Sequence, residues 1–123
     1  MLLFVYGTLR KDEHNHHYLE GAECVAEVCW TAGRLHDTGL GYPALEEAEG
    51  QVYGELYRIT EAHLPAIDEL EDYVEGSTDN LYERVTRQIM TETGAHEAFV
   101  YVIHPNYRHL LQVHLAGGDW RKR

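Results

Sequence analysis

The stretch "FVYGTLR", Phe4 to Arg10, begins as an apolar β-strand and is interrupted by a glycine and a threonine before its hydrophobic pattern is complete. A glycine directly after a buried strand allows the backbone to turn with either sign of φ. Such a turn frees backbone N–H groups from strand pairing, and neighbouring free N–H groups can bind an anion. The alternative interpretation is an ordinary turn that ends the strand. The residues of this candidate anion cradle are Tyr6, Gly7, Thr8 and Leu9.

The rest of the chain has the pattern of further strands and one helix. Strand patterns occupy "LLFVY" at 2–6, "CVAEVCWTAGRLHDT" at 24–38 with a bulge expected at Gly33, "QVYGELYRI" at 51–59, "LYERVTRQIM" at 81–90 and "HEAFVYVI" at 96–103. The polar segment 7–21 fits a turn and a short helix, and "GLGYPALEEAEG" at 39–50 fits a connecting loop with a short extended piece. No βαβ rhythm is present, which argues against a parallel doubly wound sheet. We therefore expect one α+β domain, residues 1–123, with a mainly antiparallel sheet able to curl into a barrel.

One helix is predicted over "EAHLPAIDELEDYV", residues 61–74, with Thr60 as its N-cap. Glu71 lies four residues after Ile67 and three before Val74, so it is the carboxylate expected to point inward. Burial would raise its pKa from about 4.3 toward neutrality, as a general base acting near pH 7 requires. Glu69, Asp72 and Glu75 fit a solvated helix face. The apolar face comprises Leu64, Ile67, Leu70, Tyr73 and Val74.

Composition and charge restrict the classes of function. The chain has 44% hydrophobic residues, a formal net charge of −11 and scattered basic residues, so a nucleic-acid partner would mostly be repelled. No apolar run approaches the roughly 20 residues of a membrane span, and no secretory pattern follows the first strand, which favours a soluble cytoplasmic protein. Cys24 and Cys29 would face opposite sides of a strand and fit reduced structural thiols.

Six motifs, in order over Met1 to about Trp120, carry a family resemblance: "FVYGTLRKDEHNHHYL", "GYPAL", "GQVYGELYRI", "IDELEDY", "LYERV" and "AFVYVI". Together they resemble the gamma-glutamylcyclotransferase-like family, in particular its gamma-glutamylamine cyclotransferase branch. The resemblance implies a mixed β-barrel with flanking helices whose cavity closes a gamma-glutamyl group to 5-oxoproline and releases the amine. It also implies that Tyr6 to Leu9 bind the substrate, that Glu71 is the general acid and base, and that Tyr107 in "HPNYR" contacts the substrate.

The implied reaction is an intramolecular ring closure, which needs neither a metal nor another cofactor, because positioning of the folded substrate supplies much of the rate. This sequence departs from the family pattern at Asp72, where a glycine commonly follows the catalytic glutamate, and the next loop, "VEGSTDN", is acidic. Extra carboxylates near Glu71 would raise its pKa further and repel anionic substrates. We therefore expect the partner to be a small gamma-glutamyl amine or amide rather than a substrate with several free carboxylates.

Three alternatives stay open at the level of the sequence. The segment "HNHH", residues 14–17, invites a metal site, but its spacing fits no zinc pattern and a structural role is favoured. The second alternative is a non-catalytic module that keeps the gamma-glutamyl pocket and only binds its ligand. The third is a protein-interaction domain that uses the acidic surface, and no motif supports it. No pattern in the chain indicates an oligomeric state.

Overall fold

The computed structural model describes residues 1–123 as six strands, one α-helix and three 3₁₀ helices. The strands are β1 (Leu2–Val5), β2 (Glu23–Asp37), β3 (Pro43–Arg58), β4 (Tyr82–Thr91), β5 (Gly94–Ile103) and β6 (Val113–His114). The α-helix, α1, spans Leu64–Leu70, and the 3₁₀ helices span His16–Leu19, Pro105–Leu110 and Trp120–Lys122. None of the helices has the length and the apolar character needed to span a bilayer.

Five of the strands close into a barrel. β1 pairs antiparallel with β3 and parallel with β5, β5 pairs antiparallel with β4, and β4 and β3 both pair antiparallel with β2. The short strand β6 extends the sheet from β2. Only the β1–β5 contact is parallel, with Leu3 opposite Phe99. The predicted mixed, mainly antiparallel barrel is therefore confirmed, and β1 is held on both sides by neighbouring strands.

The long pairing between β2 and β3 corrects the prediction that 39–50 is a connecting loop with only a short extended piece. β3 begins at Pro43, which lies opposite Asp37, the last residue of β2. Burial explains the difference, because Ala44 and Leu45 are 0% and 1% exposed and belong to the core. This short apolar run between glycines forms a strand because its backbone pairs with β2 and its side chains pack in the core.

The bulge expected at Gly33 is confirmed. The register of β2 against β3 shifts between Ala32 and Arg34, and Gly33 adopts a φ of +152°. A Cβ atom at this position would lie 2.9 Å from Cδ2 of Leu45, so the close approach of the two strands requires glycine. The bulge bends the long hairpin at the point where it must follow the barrel wall.

Helix α1 is shorter than predicted. Its N-cap is His63, while Thr60 lies before the helix and its hydroxyl accepts a 3.2 Å hydrogen bond from a backbone N–H two residues on. The helix ends at Leu70, because Asp72 adopts a left-handed conformation with a φ of +53° that an α-helix cannot continue. Val74 consequently lies outside the helix and is 65% exposed, so its predicted place on the apolar face is wrong.

Side-chain alternation along β1 divides the core into two clusters. Phe4 packs with apolar side chains of β2, β3, β4 and β5, whereas Leu3 and Val5 pack in the second cluster. That second cluster includes Ile67 of α1, which is fully buried and fixes the helix against the barrel. Residues of both clusters line the cavity described next, so the packing of β1 determines its walls.

Candidate active site

A cavity of about 270 Å³ opens between the turn after β1, the β2–β3 connection and the end of α1. Ten of its 17 lining residues are hydrophobic, so a charged group in the cavity is poorly solvated. The structure therefore brings the predicted turn and the predicted acid, Glu71, to the same cavity. The polar lining residues and the turn residues are Tyr6, Gly7, Thr8, Leu9, His14, Asn15, Tyr42, Glu71, Tyr82 and Tyr101.

The turn after β1 uses its carbonyl groups for internal bonds and leaves its amides free. The Gly7 carbonyl accepts from the Arg10 N–H at 3.1 Å, and the Thr8 carbonyl accepts from the Asn15 N–H at 3.0 Å. The Asn15 side chain adds a 3.1 Å bond from Nδ2 to Oγ1 of Thr8. The N–H groups of Gly7, Thr8 and Leu9 donate no hydrogen bond within the protein, so they are available to an anion in the cavity.

The space around residue 7 is too small for any side chain, so this position requires glycine. A Cβ atom at this position would lie 2.6 Å from Cγ and 2.8 Å from Cδ of Pro43. No ordinary side chain tolerates such distances, so the turn can approach the β2–β3 connection this closely only with glycine. Gly7 therefore sets the distance between the free amides and the opposite wall of the cavity, which contains Tyr42 and Pro43.

A buried ion pair holds the residue that follows the turn. Nε of Arg10 donates to Oε2 of Glu55 at 2.7 Å, and the two residues are 7% and 3% exposed. Nη1 of Arg10 donates to Asp119 at 2.9 Å. The other Glu55 oxygen accepts from the Lys11 N–H at 2.8 Å and from the Tyr57 hydroxyl at 3.0 Å. These additional bonds are what makes a buried ion pair tolerable, and they anchor the turn to β3.

Glu71 lies at the end of α1 and lines the cavity. Its N–H donates to the Ile67 carbonyl at 3.0 Å, which keeps the residue in helical register although it is the C-cap. The residue as a whole is half-buried, and it lines the cavity. Burial raises the pKa of Glu71 to about 7, because desolvation disfavours the ionised carboxylate. Burial alone causes this shift, so the contribution expected from Asp72 is absent.

Four tyrosines line the cavity together with Glu71: Tyr6, Tyr42, Tyr82 and Tyr101. Burial is the main cause that raises the pKa of each, and the charge of Glu71 contributes to all four shifts. All four hydroxyls therefore stay protonated near neutral pH. Three of them donate to protein oxygen atoms at 2.5 to 2.7 Å. Tyr42 is the cavity tyrosine whose hydroxyl has no such bond and is free to meet a ligand.

Tyr107, the remaining predicted substrate contact, does not line the cavity. It lies in the 3₁₀ helix Pro105–Leu110, and its hydroxyl donates to Oδ1 of Asp79 at 2.9 Å on the surface. The structure therefore does not bring Tyr107 and Glu71 to one site. The family resemblance suggested this contact, but the 3₁₀ helix that carries Tyr107 follows β5 and contributes no residue to the cavity lining.

The "HNHH" segment supports the turn. Nδ1 of His16 lies 2.9 Å from the Leu9 carbonyl oxygen, and Asn15 holds Thr8 as described above. His14 lines the cavity. No group of three or more histidine, cysteine, aspartate or glutamate side chains is arranged to hold a metal ion.

Comparison with known proteins agrees with this fold. The family model for gamma-glutamyl cyclotransferase, AIG2-like, matches residues 3–122. The chain is 45% identical over 104 residues to BH1612 of Halalkalibacterium halodurans, whose name places it among the gamma-glutamylcyclotransferases, and the match covers 83% of this chain and 90% of that protein. It is also 45% identical over 101 residues to the gamma-L-glutamyl-butirosin B gamma-glutamyl cyclotransferase of Niallia circulans, covering 81% of this chain and 65% of that protein.

A solved structure with the same fold is YkqA of Bacillus subtilis. The superposition has a TM-score of 0.78 and 32% sequence identity. It covers 98% of this chain and 39% of the YkqA chain, so the barrel described here corresponds to part of that longer protein. The match of the family model over residues 3–122, together with these relatives, shows that the chain belongs to the gamma-glutamyl cyclotransferase, AIG2-like family.

Proposed function

We propose that this protein cyclises a gamma-glutamyl amine or amide to 5-oxoproline and releases the free amine, with Glu71 as general acid and base. The observation that carries the proposal is the cavity, in which a carboxylate with a pKa of about 7 and the free amides of the Gly7 turn line the same space. The family to which the chain belongs and the name of its Niallia circulans relative both support gamma-glutamyl chemistry.

Glu71 would move the protons of the reaction. The α-ammonium group of the substrate must lose a proton before its nitrogen can attack the γ-carbonyl carbon, and an ionised Glu71 can accept that proton. The new carbon–nitrogen bond closes the lactam, and the bond to the departing amine then breaks. The substrate ammonium carries three protons and the lactam nitrogen keeps one. Glu71 transfers the other two in turn to the departing nitrogen, which leaves as an ammonium ion.

The turn amides would stabilise negative charge on the substrate. Attack on the γ-carbonyl places a negative charge on its oxygen, and fixed donors in a poorly solvated cavity stabilise such an oxyanion by roughly 3 to 4 kcal/mol per well-placed bond. The α-carboxylate of the substrate is a second anion that the same donors can bind. The N–H groups of Gly7, Thr8 and Leu9 are available for either role.

The surroundings of the cavity favour substrates without extra carboxylates. Asp72 is exposed and lies close enough to Tyr42 and Tyr107 for its charge to help raise both pKa values. A departing amine that is neutral or cationic is tolerated there, whereas one that carries a carboxylate is repelled.

The experiment is a screen of gamma-glutamyl compounds for release of 5-oxoproline. We expect kcat/KM for gamma-glutamyl alkylamines to exceed that for glutathione by about tenfold or more, which corresponds to about 1.4 kcal/mol. Asparagine, like aspartate, tolerates the left-handed conformation of residue 72. Asp72→Asn should therefore reduce the ratio of kcat/KM for gamma-glutamyl alkylamines to kcat/KM for glutathione. Faster turnover of glutathione than of every gamma-glutamyl amine would reject the substrate class, and no release from any compound would reject the proposed reaction.

The pH dependence of the rate should follow Glu71. Because the base form of Glu71 is needed in the free enzyme and its pKa is about 7, kcat/KM should level off above that pH and fall about tenfold per pH unit below it. Initial rates between about pH 5 and pH 9 at constant ionic strength measure the profile. A midpoint near 4.3, the value of a glutamate in water, would show that the group acting as base is not a buried Glu71.

A further inference from the structure

Tyr101 connects the two halves of the cavity. Its backbone carbonyl accepts a 2.6 Å hydrogen bond from the hydroxyl of Tyr6, the residue before Gly7. Its own hydroxyl donates at 2.5 Å to Oδ1 of Asp68, which belongs to α1. Tyr101 is 3% exposed, so water competes little for these bonds. One residue of β5 therefore joins the turn that carries the free amides to the helix that carries Glu71.

Asp68 is held on its other side by Arg84 of β4. Nη1 of Arg84 donates to Oδ2 of Asp68 at 2.5 Å, and the two side chains are only 12% and 21% exposed. The guanidinium lies over the rings of Tyr73 and Phe99, 5.0 Å from each centroid, which restricts its movement. Both carboxylate oxygens of Asp68 are thus engaged by groups on two different strands.

Helix α1 needs such an anchor because it has only seven residues. A helix this short has little stability of its own and depends on tertiary contacts. Ile67 packs against the barrel, but an apolar contact restricts rotation and sliding less than a pair of directional hydrogen bonds does. Asp68 precedes Glu71 by three residues, about one helical turn, so fixing Asp68 also fixes the backbone of Glu71.

We propose that Tyr101, Asp68 and Arg84 form a positioning network that holds the end of α1, and with it the Glu71 carboxylate, at a fixed place relative to the turn amides. This inference rests on the proposed function, in which Glu71 moves the protons. The network acts through Glu71, so its members are positioning residues rather than catalytic residues. When it is broken, the end of the helix moves and the Glu71 carboxylate turns toward water.

The titration of Glu71 reports such a movement. Burial raises the pKa of Glu71. Tyr101→Phe breaks the network without removing a charge, so a lower Glu71 pKa in that variant reports movement into water rather than the loss of a neighbouring charge. The titratable groups that face the cavity from the elements around Glu71 are Tyr6, His14, Tyr42, Tyr82 and Tyr101.

The test is an NMR titration of protein carrying carbon-13 in its glutamate carboxyl groups, with the Glu71 resonance identified by its loss in Glu71→Gln. Tyr101→Phe and Asp68→Asn should each lower the Glu71 midpoint by about one pH unit or more. They should also lower kcat about tenfold to a hundredfold with KM within about twofold. The controls are Tyr53→Phe, which removes an exposed hydrogen bond, and Glu47→Gln, which removes the charge from an exposed ion pair, and they should change neither quantity.

The titration separates this inference from the proposed function, because it needs no turnover. An unchanged Glu71 midpoint in both Tyr101→Phe and Asp68→Asn would overturn the positioning network, whatever the activity of the wild type. A wild type that releases no 5-oxoproline, but whose Glu71 midpoint still falls in both variants, would overturn the proposed function and support the network.

Discussion

Glu71→Gln should abolish release of 5-oxoproline, with a loss in kcat of about a hundredfold to ten-thousandfold, while gamma-glutamyl ligands still bind. Glutamine keeps the size of the side chain and cannot accept a proton from the substrate ammonium, so the substitution removes the acid and base and little else. The free amides of the Gly7 turn are unchanged, which is why binding should survive. Initial rates and calorimetric binding of a gamma-glutamyl amine measure the two quantities separately.

The matched control is Glu69→Gln, which makes the same chemical change on the exposed side of α1 and should leave turnover unaltered. Turnover of Glu71→Gln close to that of the wild type would contradict the assignment of the base. If neither the wild type nor the variant turned over any gamma-glutamyl compound but both bound one, a ligand-binding module would be the better description of the protein.

Gly7→Ala should lower kcat/KM about a hundredfold to a thousandfold. The added Cβ would meet Pro43 at 2.6 Å, so the turn has to move away from the opposite wall and carry its amides out of line with the substrate. Loss of one oxyanion donor in a comparable site has an effect of about this size. Steady-state kinetics measures the loss, and a thermal melt shows whether the protein is still folded.

Gly117→Ala is the matched control for this substitution. A Cβ at Gly117 would meet no atom within 4 Å, and its backbone is not in the left-handed region, so both activity and stability should be retained. A folded Gly7→Ala protein with wild-type kcat/KM would show that the position of the turn amides is unimportant for the reaction.

The Gly7 turn could be predicted from the sequence because the strand and the glycine that ends it are adjacent along the chain. Glu71 could be predicted from its spacing to Ile67, and the bond between the Glu71 N–H and the Ile67 carbonyl preserves that relation. The predicted spacing of Glu71 to Val74 along the same helix face does not exist, because the helix ends before Val74. The left-handed conformation of Asp72 has no reliable signal in the local sequence, because aspartate adopts it only occasionally.

The remaining parts of the site depend on contacts between distant segments. The bonds of Tyr101 to Tyr6 and Asp68 follow from the register of β5 and from the docking of α1. The ion pair of Arg10 and Glu55 joins residues 45 positions apart and has no local pattern. Propensity and periodicity describe neighbours along the chain, so they do not reveal which side chains meet across the barrel.

The most direct measurement of the central claim is a crystal structure of the Glu71→Gln protein with an intact gamma-glutamyl amine bound. We expect the substrate in the cavity, with its α-amino nitrogen within hydrogen-bond distance of the residue 71 side chain. The γ-carbonyl oxygen or the α-carboxylate should accept hydrogen bonds from the amides of Gly7, Thr8 or Leu9. A substrate that binds elsewhere, or that lies in the cavity with its amino group turned away from residue 71, would contradict the account.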